Sequence, residues 1–165
     1  MLEGVAVGHI SERVAELVQI PSVNPLHAGP KSGEDGERAI ASWLADHADA
    51  LGAEVVVDEV LDGRCNVYAR FEGTSDRAVT IDVHLDTVGV EHMPDNPFDG
   101  RIEDGRVYGR GSVDTKPTLA VVLQVIEEMR AAGQRPVPTV NLVGTISEEG
   151  GGLLGATRYR DWLLE

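Results

Sequence analysis

Cysteine is almost missing from the 165 residues: Cys65 stands alone. That count excludes an internal disulfide and a Cys-rich zinc site, and Cys65 reads as a small apolar residue at a strand start. Aromatic residues make up 4% of the chain, so a core drawn from its 42% hydrophobic residues is aliphatic. Positive charge is also scarce. The formal net charge is −14, and Lys31 and Lys116 are the only lysines. Nucleic acid and anionic membrane surfaces both call for a cationic face, so neither is an expected partner. Most of the acids read as solvated surface. No apolar run is long enough to span a bilayer. The first residues carry neither the basic region nor the apolar stretch of a secretory signal, so a cytoplasmic location is expected. There is no G-x-x-x-x-G-K-[ST], and no G-x-G-x-x-G follows a strand, which argues against a nucleotide-binding domain.

The patterns that are present alternate between two periods. Ile10, Val14, Leu17 and Val18 mark one face of a helix, with Ser11 as its N-cap and Pro21 as its stop. Residues 21–36 read as a loop rich in turn formers. Ile40, Trp43, Leu44, His47 and Leu51 mark a second helix ending at Gly52, with His47 in a packing or surface role. Short β-branched segments follow at Glu54–Val60, Asn66–Phe71 and Ala78–His84. Asp104-Gly105 predicts a tight hairpin turn. Leu119, Val122, Leu123, Ile126 and Met129 mark a helix with Pro117 in its first turn and Gly133 at its close. Val137–Ile146 suits a buried strand, and Gly155–Leu164 a last helix. This order predicts an α/β fold, a three-layer α/β/α sandwich with a mostly parallel sheet that becomes mixed if the first strands pair as a hairpin.

Three segments carry chemistry. His84-Leu85-Asp86-Thr87-Val88 ends a strand in an imidazole. Gly109-Arg110-Gly111-Ser112-Val113-Asp114-Thr115-Lys116 turns tightly ahead of a helix. Ser147-Glu148-Glu149-Gly150-Gly151 follows the buried strand. Ligands in α/β proteins bind at the carboxyl ends of strands, and one imidazole with several carboxylates there suits zinc or a similar divalent ion. Each segment has a plainer reading: Asp86 as a turn residue, Asp114 as an acid at a helix N-terminus with Lys116 as its ion-pair partner, and Glu148-Glu149 as an acidic loop. Their combination favours a metal site. Asp86 would orient His84. Of the adjacent acids, one would be a ligand and the other a base of raised pKa.

With these motifs, the chain resembles the N-terminal part of the di-zinc amidohydrolase and exopeptidase family that includes acetylornithine deacetylase, succinyl-diaminopimelate desuccinylase, glutamate carboxypeptidase and the aminoacylases. The likeness also takes in Ile20-Pro21-Ser22-Val23-Asn24-Pro25 and Asn96-Pro97-Phe98. It implies a hydrolase with two Zn2+ ions per complete site, Co2+ or Mn2+ being substitutes. Its metal ligands would be His84, Asp114 (bridging both ions) and Glu149. Glu148 would be the general base acting on a metal-bridging water, and Asp86 the partner of His84. The implied substrate is an N-acyl amino acid or short peptide cleaved at its amide bond, and the implied full-length form is a homodimer.

Two departures stand out. Pro117 occupies a position where the family usually carries glycine, which implies a local adjustment at the start of the helix. The family's further acidic ligand, late histidine ligand and lid and dimerisation domain have no counterpart here. Residues 1–165 are therefore expected to form the N-terminal portion of a catalytic domain, breaking off inside a helix over Arg158–Glu165, with weak or no activity in isolation. The competing reading is a metal-binding or interaction module without turnover. A calcium module is disfavoured, since imidazole is a poor ligand for a hard cation.

Overall fold

The period-2 and period-3.6 segments become strands and helices close to the expected places. The computed structural model describes residues 7–33 and 36–164. Glu34 and Asp35 of the 21–36 loop lie outside the described residues, as do residues 1–6 and Glu165 of the 1–165 assignment. The helices are α1 (Val7–Val18), α2 (Arg38–Ala50), α3 (Lys116–Ala131) and α4 (Leu154–Trp162), with a 3-10 turn at Pro25–His27. The strands are β1 (Glu54–Leu61), β2 (Arg64–Phe71), β3 (Ala78–His84), β4 (Ile102–Glu103), β5 (Arg106–Val107) and β6 (Thr139–Thr145). β4 and β5 form the small hairpin expected around Asp104-Gly105.

The main sheet has the order β1-β2-β6-β3. It is mixed, as the hairpin alternative anticipated, but the expected parallel majority is corrected. β1 pairs with β2 and β2 with β6 antiparallel, and only β3 pairs with β6 parallel. The tight turn between β1 and β2 reverses the chain, and β6 then enters the sheet in the direction shared by β1 and β3, antiparallel to β2. The single parallel pair matters most for function. Parallel strands end at the same sheet edge, and the register places His84 opposite Thr145.

One face of the sheet carries the larger core. Leu17 and Val18 of α1, Ile40 and Leu44 of α2, and Leu119 and Leu123 of α3 pack on Val67, Ala69 and Phe71 of β2 and Leu142 of β6. These β2 residues alternate along the strand, as one face of a pleated sheet requires. On the other face Tyr68 and Val143 meet Tyr159 of α4. Three aromatics gather here: Tyr68 lies 4.9 Å from Tyr159 and 4.8 Å from Trp162, centroid to centroid. The result is the expected three-layer arrangement. β6 is buried along nearly its whole length, as its β-branched run predicted. Among the described residues, no strand pairs with the outer edge of β3.

Some local expectations are revised. Ser11 is not an N-cap, because α1 begins at Val7 and Ser11 lies within it. Its N–H is then already within reach of a helical carbonyl four residues back. α4 ends at Trp162, and Leu164 donates its N–H to Asp161 O, the tighter i to i−3 bond of a closing turn. His47 takes the packing role, stacked on the Trp43 ring at 3.7 Å with Nδ1 2.7 Å from Trp43 O. Pro117 sits in the first turn of α3 without interrupting it, where a missing N–H costs no helical bond.

Candidate metal centre

His84 is the last residue of β3, and its side chain is mostly buried. Nδ1 lies 2.9 Å from the main-chain oxygen of Asp86, so that nitrogen carries the proton and donates it. The other nitrogen, Nε2, is left to face outward, 3.0 Å from Asp114 Oδ1 and 3.9 Å from Glu148 Oε2. In metal sites the hydrogen bond at one ring nitrogen selects the tautomer and frees the other nitrogen for ligation. Burial opposes charging of this ring. The Asp86 carbonyl and the Asp114 and Asp86 carboxylates outweigh it, and His84 is held more basic than an ordinary histidine.

Asp86 partners His84, but through its carbonyl. Its carboxylate lies 3.8 Å from Nδ1 and serves a different purpose. Oδ1 accepts the N–H of Glu148 at 3.0 Å, and Oδ2 accepts the N–H of Glu149 at 2.9 Å and Nδ2 of Asn24 at 2.6 Å. Three donors compensate a carboxylate that is fully buried.

Asp114 comes to His84 on the Gly109–Lys116 turn. Gly109 has φ +139, and a Cβ there would lie 2.8 Å from Pro97 O. Arg110 donates its N–H to that same oxygen at 2.7 Å, so the Asn96-Pro97-Phe98 segment acts as the support for this turn. The Asp114 side chain is 71% exposed. Lys116 does not form the expected ion pair with it. Its ammonium is buried and donates to Leu17 O at 2.9 Å and Ile20 O at 2.7 Å, at the C-terminal end of α1. Burial lowers its pKa to about 7.

Glu148 and Glu149 stand on the turn after β6, entered through Ser147 at φ +64. One donor atom from each of His84, Glu148 and Glu149 lies within 4.8 Å of the others. Burial raises the Glu149 pKa; His84 opposes that, while Asp114, Glu148 and Asp86 add to it. Acids crowded in this way around an imidazole favour a shared cation. One nitrogen with carboxylate oxygens is a donor set that fits zinc or its neighbours. All five expected residues meet at one sheet edge. Two others were not singled out from the sequence as site residues: Asn24, and His27, whose Nε2 lies 2.9 Å from Glu149 O. Both come from the 21–36 loop, where an Asn before a Pro reads simply as turn chemistry.

Comparison with known proteins places the chain in a family. Residues 80–165 match the model of peptidase family M20/M25/M40. Succinyl-diaminopimelate desuccinylase from Methylocella silvestris is 29% identical over 154 residues, covering 92% of this chain and 38% of that protein. The chain thus spans little more than a third of this curated relative. Among solved structures, an M20 family metallo-carboxypeptidase from Sulfolobus solfataricus superposes with a TM-score of 0.69 at 25% identity, covering 82% of this chain and 30% of that one. Aminopeptidase PepT from Bacillus cereus gives a TM-score of 0.68 at 26% identity, with 92% and 39% covered.

Proposed function

The chain belongs to peptidase family M20/M25/M40, a family of metal-dependent hydrolases, and on that premise we propose that it supplies part of the metal centre of an enzyme that hydrolyses the amide bond of an N-acyl amino acid or short peptide. The observation that carries this reading is the meeting of His84, Asp114, Glu148 and Glu149 at the shared end of the one parallel strand pair. In this reading, residues 1–165 correspond to the N-terminal portion of the catalytic domain.

His84, Asp114 and Glu149 would hold zinc. When bound, such ions polarise a carbonyl and lower the pKa of water. The chain's own residues do the rest. His84 presents Nε2 because Nδ1 is committed to the Asp86 carbonyl. Glu148 accepts a proton from the attacking water and returns it to the leaving amine nitrogen, as a general base and then acid. Asp86 holds the Glu148–Glu149 backbone in place. A catalytic zinc commonly takes three protein ligands. Two ions need more donors than these three residues provide, so the 165 residues alone turn over weakly or not at all. That single imidazole also favours the second reading, a metal-binding fragment without turnover.

The test is zinc stoichiometry of the purified chain after dialysis, beside His84→Ala and Asp114→Ala. Bound zinc that both substitutions abolish supports the site. A folded wild-type chain that holds no zinc refutes it as a self-sufficient centre. Metal-dependent hydrolysis of N-acyl amino acids by the wild type would separate the enzyme from the fragment.

A further inference from the structure

Asn24 lies in a loop 62 residues from Asp86, yet it is fully buried against the site. We propose that Asn24 is a positioning residue of the metal centre: its amide fixes the Asp86 carboxylate, and that carboxylate fixes the backbone on which Glu148 and Glu149 stand. The inference rests on the metal-centre reading for its functional meaning.

The orientation of the Asn24 amide is determined by its partners. Oδ1 accepts the N–H of Leu26 at 3.0 Å, capping the Pro25–His27 turn. Nδ2 is therefore the atom directed at Asp86 Oδ2, 2.6 Å away. The main chain of Asn24 is equally constrained. Its N–H donates to Thr87 O at 2.9 Å, Thr87 N–H donates to Ser22 O at 2.9 Å, and Val23 and Thr87 form a parallel bridge. This short ladder extends just beyond β3 and locks the 22–24 segment to the residues after His84.

Asp86 then transmits the constraint. Its carboxylate receives two successive main-chain N–H groups, the concave arrangement in which backbone amides hold an anion. An aspartate at position 24 would set a second carboxylate against the first, and an apolar residue would leave part of a buried anion uncompensated. The same loop also touches this turn directly, through His27 Nε2 at 2.9 Å from Glu149 O. Segment 22–27 thus meets the turn that carries the two glutamates twice, once through the Asp86 carboxylate and once at Glu149 O.

The experiment is Asn24→Ser in the full 165-residue chain. Serine keeps an acceptor for the Leu26 N–H but is too short to donate to Asp86. Backbone amide exchange is followed by NMR, together with Zn2+ affinity and the visible spectrum of the Co2+-loaded chain. We expect Glu148 and Glu149 amides to exchange about tenfold faster or more, with β6 amides unchanged. Zn2+ affinity should fall about 10- to 100-fold, and the Co2+ bands should shift. A folded variant whose Glu148 and Glu149 amides exchange at wild-type rates overturns the proposal. Should the variant not fold, the wild type decides: the Asn24 side-chain amide protons must be downfield and slow to exchange, and rapid exchange overturns the proposal. A wild type with protected Glu148 and Glu149 amides but no zinc binding refutes a self-sufficient metal centre, while the amide rates still decide the role of Asn24.

Discussion

Replacing Asp86 by asparagine removes a charge and changes almost nothing in shape, which makes it a sharp probe of the site. The wild-type carboxylate accepts from Glu148 N, Glu149 N and Asn24 Nδ2. An asparagine has one acceptor oxygen and must place its NH2 against the remaining donor. If the oxygen replaces Oδ2, it serves both Asn24 and Glu149, and only Glu148 N–H loses its acceptor. The reverse orientation orphans two donors, so the first prevails. One orphaned N–H costs about 1–3 kcal/mol. The two surviving bonds weaken as they lose charge assistance. Relief of the buried charge's desolvation offsets part of this. The net expected loss is about 2 kcal/mol, which at a typical urea slope is roughly a 1 M drop in the unfolding midpoint. Urea titration followed by circular dichroism measures the total, and amide exchange locates it. Glu148 should lose protection while Glu149 keeps most of its own. A midpoint unchanged within error, or equal loss at both amides, would refute the hydrogen-bond account.

The remaining predictions concern pH and packing. His84 has a folded-state pKa raised above its ordinary 6.5. Its contribution to the stability of the metal-free chain is therefore fully present below 6.5 and lost as pH rises through the folded value. Comparing urea midpoints at acidic and alkaline pH should show that loss in the wild type and a smaller one in His84→Gln. An identical pH dependence in both proteins would exclude His84 as its source. Gly155 opens α4 where a Cβ would lie 2.4 Å from Ile146 N and 2.6 Å from Asn66 Oδ1. Gly155→Ala should destabilise by about 1–3 kcal/mol, the usual cost of overpacking, and a stability equal to wild type would show that α4 shifts freely on the sheet.

Much of the architecture could be read from local pattern. The bounds of β3, the Asp104-Gly105 hairpin and the α3 helix follow from periodicity and turn chemistry, which depend on neighbouring residues alone. Strand direction did not follow. Nothing in Asn66–Phe71 or Val137–Ile146 taken separately says that they pair antiparallel, since that depends on which strands become neighbours after the chain has turned. Lys116 shows the same limit. Beside Asp114 in sequence it suggests an ion pair, yet its long side chain reaches back across α1 to two main-chain carbonyls.

For the site, residue types alone determined the chemistry on offer. An imidazole, an isolated aspartate and paired glutamates, each after an apolar run or a glycine-rich turn, are polar groups placed where strands end. Which atoms face one another was decided only in three dimensions. The parallel β3 and β6 pair brings His84 and the Glu148–Glu149 turn to one edge. The Asp86 carboxylate turns toward backbone amides and leaves its carbonyl to the imidazole. Asn24 joins from a remote loop because a buried carboxylate must find every available donor. Such a partner is chosen by proximity after folding, and no spacing along the chain encodes it.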